Sequence, residues 1–110
     1  MNASEFVAYV GPPDIHDSTI TSVTRQGDSV RVELRTLDAR PLSLTFQGVA
    51  SIMSQHPEGM FLYALTELAS PSPPLRRFVF ANSDEESASA LEVLAENFTS
   101  DTAADAPPKA

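Results

Sequence analysis

Two runs of strict two-residue alternation constrain this chain more than any other feature. Val30, Val32 and Leu34 alternate with Arg31, Glu33 and Arg35, and Leu42, Leu44 and Phe46 alternate with Ser43, Thr45 and Gln47. Successive side chains of a strand point to opposite faces, so each run makes one apolar and one polar face. The turn-rich linker Leu37-Asp38-Ala39-Arg40-Pro41 joins them. Residues 29–47 therefore read as a β-hairpin with one buried and one wet face.

The rest of the chain extends this pattern. Thr, Ile and Val in Ser18–Arg25 suit a pleated surface, and Gln26-Gly27-Asp28 reads as the tight turn before the hairpin. Gly48 interrupts the alternation and predicts a bulge or bend, with a short bent strand over Ala50–Ser54. His56-Pro57-Glu58-Gly59 has the composition of a β-turn. Met60–Leu68 is apolar on both faces and reads as a strand covered on both sides, with a buried helix as the other reading. Leu75–Ala81 is a further strand in which Arg76 shares a face with Phe78 and Phe80, a position from which its stem would snorkel at the strand's edge.

Two segments are ambiguous. Residues 5–9 fit a short helix capped by Ser4, and residues 6–10 fit a strand; Gly11-Pro12-Pro13 ends either one. Ser83-Asp84-Glu85-Glu86 has the spacing of a capping box, and Leu91, Leu94, Ala95 and Phe98 follow at helical intervals. Leu91, Val93 and Ala95 also alternate with Glu92, Leu94 and Glu96, as in a strand. Local propensity leans toward helix. Residues 99–110 are too poor in large apolar groups to offset ordering entropy and read as a disordered acidic, Pro/Ala-containing tail behind a single domain of residues 1–98.

Composition bounds the function. With no cysteine, thiolate metal sites, disulfides and cysteine nucleophiles are excluded. The net charge of −8 falls mostly on the last third, where seven acids face one base from Asp84 onward. Such a surface repels nucleic-acid phosphate and anionic lipid, so neither partner is expected. No run approaches the ~20 apolar residues of a membrane span, and Met1–Phe6 lacks the features of a secretion signal, so the expected compartment is the cytoplasm.

Candidate chemistry is sparse. His16-Asp17 is the one pair in which a carboxylate could orient an imidazole, or in which both could bind a ligand. On a strand the two would point to opposite faces, and a structural role for the pair is the plainer reading. His56, the other histidine, could join them with Glu58 only if two loops converged, and no ligand spacing supports a metal there. Nucleophile-elbow and phosphate-loop patterns are absent, and no cofactor is expected. Arg31 and Arg35 alternate with Glu33, which predicts cross-strand ion pairing. Met60, Phe61, Tyr63, Leu65, Phe78 and Phe80 read as core; any of them on the surface would mark a protein interface.

Ile15-His16-Asp17-Ser18, Leu44-Thr45-Phe46-Gln47-Gly48-Val49, Pro57-Glu58-Gly59-Met60, Arg77–Asn82 and Leu91–Ala95 together resemble a group of small bacterial β-rich proteins. In these a His-Asp pair leads into a strand, and the group is loosely similar to immunity proteins of bacterial toxin systems. The resemblance implies that residues 89–98 close the sheet as a strand, behind an acidic loop, and it carries no catalytic residue. The expected fold is mainly β, an antiparallel meander of about six strands forming a sandwich or half-open barrel. An α+β fold with a helix over 84–98 is the alternative. The expected function is a non-enzymatic protein-binding module, immunity-like or accessory, whose partner is another protein, and edge-to-edge homodimerisation is compatible with it. The alternative is a small-ligand or enzymatic site near His16, Asp17 and His56.

Overall fold

The structure, a computed structural model, describes residues 6–84, 86 and 88–102. These form nine strands: β1 (Phe6–Val10), β2 (Thr19–Gln26), β3 (Ser29–Arg35), β4 (Pro41–Gln47), β5 (Ser51–Gln55), β6 (Leu62–Leu68), β7 (Arg76–Asn82), β8 (Ala90–Ala95) and β9 (Asn97–Thr102). Among the described residues the one helical piece is a 3-10 turn at Pro13–Ile15. The strands make two antiparallel sheets, β1-β6-β7-β8-β5 and β2-β3-β4-β9, packed as an open β-sandwich.

The hairpin forms as expected, with one buried and one wet face. Val30 lies opposite Phe46, Val32 opposite Leu44 and Leu34 opposite Leu42, and all six are buried. Facing them from the other sheet are Leu62, Leu65, Phe78, Phe80, Leu91 and Val93. Phe46 is central, with its ring centroid 5.3 Å from Phe78, 5.9 Å from Phe80 and 5.6 Å from Phe98.

The chain is more than one meander. Each sheet holds a three-strand meander, and the chain crosses between sheets three times: once through the Pro13–Ser18 turn between β1 and β2, and then at two adjacent corners. One is Gly48, at φ +63°, between β4 and β5; the other is Glu96, between β8 and β9. The Glu96 amide lies 3.1 Å from the Gln47 carbonyl and 3.2 Å from the Gly48 carbonyl, which ties the corners together. A Cβ on Gly48 would come within 2.5 Å of the Glu96 side chain.

This corner resolves residues 89–98. Leu91, Val93 and Ala95 are buried and β8 pairs with both β7 and β5, so the helical alternative is corrected to strand. Sheet partners on both sides satisfy the backbone groups that a helix would have satisfied internally. Phe98 breaks the alternation because the chain changes sheet at Glu96, and it still packs on the core. The domain boundary also moves: Thr99, Ser100, Asp101 and Thr102 pair with Thr45, Leu44, Ser43 and Leu42, so the ordered strand runs past residue 98. The rest of the expected tail, 103–110, lies outside the described residues, as do Ser4 and Glu5. Residues 6–10 form a strand rather than a helix. In place of a capping box, the Asp84 amide donates to Asn82 Oδ1 at 2.8 Å and the Glu86 amide to Asp84 Oδ1 at 3.0 Å.

Bulges explain apolar pairs spaced by three. The β6–β7 register slips between Leu62 and Ala64, so Leu62 and Leu65 both face the core while Tyr63 is turned out. A slip between Ile20 and Ser22 does the same for Ile20 and Val23. Arg76 stands at the first position of β7, an internal strand of its sheet. Its guanidinium forms a two-pronged ion pair with Glu67 (2.8 and 3.0 Å) and lies 5.0 Å from the Phe78 ring centroid. The hydrogen bonds to Glu67 hold the Arg76 pKa above its ordinary value. Arg31 pairs with Glu33 along its own strand rather than across strands, and Ser43 on β4 bridges the two.

Candidate functional site

The Pro13–Ser18 turn organises one end of the sandwich. Two prolines fix the approach from β1, and buried Ile15 anchors the turn in the core. The fully buried Ser18 hydroxyl donates to the Ile15 carbonyl at 2.6 Å. Asp17 takes a left-handed conformation, φ +66°, and its amide donates to the Leu62 carbonyl at 2.9 Å. That conformation brings together two side chains that an extended strand would separate: His16 Nδ1 lies 3.2 Å from Asp17 Oδ2. The expectation of opposite faces is corrected, because the pair sits on a turn ahead of β2.

On one side of this turn is an aromatic cleft of about 240 Å³. Tyr9, Tyr63 and His16 wall it with Pro12 and Pro13, and Ile15 and Leu65 contribute to its lining. The rings form a chain of edge-to-face contacts: Phe6 to Tyr9 at 4.9 Å, Tyr9 to Tyr63 at 6.3 Å, and Tyr63 to His16 at 5.4 Å. Tyr9 is 63% exposed and Tyr63 50%. The chain contains two tyrosines, and both wall this cleft.

On the other side is a polar depression lined by Asp14, Asp17, Thr36, Leu37, Asp38 and Arg40, and again by Pro13 and His16. Arg40 bridges Asp14 (3.0 Å) and Asp38 (2.9 Å), while the Thr36 hydroxyl donates to Asp38 at 2.6 Å. The Thr36 hydroxyl, then Arg40, hold the Asp38 carboxyl below its ordinary pKa, so it stays ionised. Two carboxylates thus flank one guanidinium, and a third, Asp17, lines the same depression while paired with His16.

Of the residues singled out from the sequence, His16 and Asp17 come together and His56 does not join them. His56 lies in the β5–β6 turn at φ +45°, exposed, and lines neither hollow. Among the described residues, no three His, Asp or Glu side chains are grouped as a metal site requires. Sequence reasoning missed Tyr9, Asp14, Asp38 and Arg40, and it assigned Tyr63 to the core. The apolar run around Tyr63 hid the bulge that turns it outward; the one available sign was that tyrosine is scarce here.

Comparison with known protein families, curated proteins and solved structures finds no match. Among the described residues no helix is long and apolar enough to cross a membrane.

Proposed function

We propose that this chain is a non-enzymatic protein-binding module that engages its partner through the aromatic margin of β1 and β6. The observation that carries the reading is the row Phe6, Tyr9, Tyr63 and His16, four rings each in edge-to-face contact with the next on the outside of a small domain. Exposed large apolar side chains gathered in one place mark interaction surfaces, and tyrosine is enriched there because it offers a rigid apolar body with a polar tip. Phe61, 42% exposed, directly precedes β6 and bridges to Thr19 of β2. An immunity-like or accessory role, in the cytoplasm, would place a partner protein on this face.

The aromatic cleft is small for a small-molecule site, whereas the polar depression beside it, lined by His16 and Asp17, measures about 460 Å³. Pockets for small molecules typically run from about 300 to 1,000 Å³. At about 240 Å³ the aromatic cleft suits one or two side chains of a protein partner.

Selection from a displayed random-peptide library tests the reading, with the full chain and its Tyr9→Ser/Tyr63→Ser form as baits. Clones that bind the first and not the second are expected. Clones that bind both equally, or none at all, would refute it.

A further inference from the structure

We infer that the aromatic cleft and the acidic depression together bind one extended peptide segment, in which a proline pair fills the cleft and a following arginine or lysine enters the depression. This rests on the protein-binding reading above and names the partner's chemistry. The two hollows share Pro13 and His16, so a chain crossing the turn meets both. A polyproline II segment rises about 3.1 Å per residue, which lets neighbouring residues fall on either side of a single turn.

Charge complementarity selects the basic residue. Asp14, Asp17 and Asp38 outnumber Arg40 at the depression, and Asp38 is held ionised. Ring chemistry selects the prolines. Tyr9, Tyr63 and His16 present faces and edges on which a proline ring packs, with tyrosine hydroxyls as donors for peptide carbonyls. An aromatic-lined groove recognises proline-rich chain at low entropic cost because that chain is already extended.

Strand addition to the β1 edge is the competing mode, and β1 is poorly suited to it. Its pairing with β6 slips between Phe6 and Ala8, and Gly11-Pro12-Pro13 follows at once. Both features disrupt a regular ladder of backbone hydrogen bonds.

The test uses isotope-labelled full chain and a synthetic peptide of about eight residues containing Pro-Pro-Arg, titrated by amide chemical-shift mapping. Saturable shifts are expected around Tyr9, His16, Asp17, Asp38 and Tyr63, with a Kd between about 10 and 500 μM, the range of a small interface. Replacing the peptide arginine by glutamate, or its prolines by alanine, should weaken binding at least tenfold. Tyr63→Ser should do likewise, and Tyr9→Ser serves in its place should the bulge fail to form without Tyr63. Asp17→Asn removes one carboxylate while keeping a residue that tolerates positive φ, and should weaken binding about threefold to fivefold. Shifts elsewhere, equal binding of the glutamate or alanine peptides, or no shifts at millimolar peptide would overturn the inference. So would concentration-dependent shifts at Tyr9 and Tyr63 without peptide, which would assign the cleft to a second copy. Library clones that require Tyr9 and Tyr63 but lack proline and basic residues would refute the peptide chemistry while leaving the protein-binding reading standing.

Discussion

Replacing Ala39 by glycine should stabilise this protein. Ala39 sits at φ +67° in the three-residue loop Leu37-Asp38-Ala39 between β3 and β4. The loop is closed by the Ala39 amide donating to the Thr36 carbonyl (2.9 Å) and the Thr36 amide donating to the Arg40 carbonyl (2.9 Å). Three-residue hairpin loops of this kind end on a left-handed residue, a position that glycine fills without strain. An alanine Cβ there crowds the following carbonyl and costs roughly 1–2 kcal/mol. Ala39 is exposed, so its methyl contributes little packing to offset that cost. Glycine also raises the entropy of the unfolded chain, which returns about 0.4–1 kcal/mol. The net expectation for Ala39→Gly is a gain of about 0.5–1 kcal/mol, or a few degrees in Tm for a domain of about this size. Urea denaturation monitored by far-UV circular dichroism measures it, with an unchanged slope and a raised midpoint expected. Ala39→Val is the control and should destabilise, because a β-branched residue tolerates positive φ least. A glycine variant no more stable than the parent, alongside a valine variant equal to it, would show that residue 39 is not left-handed and that the loop is differently built.

Three further outcomes follow from the same geometry. Gly48→Ala should cost about 1 kcal/mol from the left-handed backbone, and the cost should persist in an Glu96→Ala background because the exposed Glu96 side chain can move aside; a penalty that vanishes in that background would show that the corner is jammed. Phe46→Ala should cost about 3–5 kcal/mol in the same denaturation assay, since the ring is fully buried among Phe78, Phe80 and Phe98; a cost below about 1 kcal/mol would mean that the two sheets do not meet there. Asp38 has a lowered folded-state pKa, so its contribution is full above the ordinary carboxylate range near 3.9 and fades as pH falls through the lowered value. The stability difference between the parent and Asp38→Asn should therefore be flat above about pH 5 and shrink in more acidic solution; a difference that grows on acidification would reverse the sign and refute the hydrogen-bond assignment.

The hairpin at residues 29–47 could be read from the chain alone because its apolar residues repeat every two positions and its partner strand is next in sequence. One buried face fixes which side chains turn inward, and the loop between the strands then sets the pairing, Val30 opposite Phe46 through Leu34 opposite Leu42. The bend at Gly48 was legible for a similar reason, since a glycine that interrupts a strand pattern marks a change of direction. The His16-Asp17 pair was visible as a pair, but not as a contact: its meeting depends on the positive φ of Asp17, which the Leu62 carbonyl and the turn anchored by Ile15 hold in place.

What tertiary structure alone decided lies in long-range pairing. Residues 90–98 carry both helical and strand periodicity, and the choice was made by β7 and β5 on either side of β8. Strand β9 has little apolar content, yet it is held by its full register along β4, from Leu42 to Gln47. Tyr63 looks like core in a run of apolar residues and is turned outward by a bulge that exists only against β7. The aromatic cleft joins Tyr9 of β1 to Tyr63 of β6, and the depression joins Asp14 of the turn before β2 to Arg40 of the β3–β4 loop. Local sequence encodes propensity and period; it does not encode which distant strand supplies the missing hydrogen bonds, and in this protein that choice decides which side chains reach the surface.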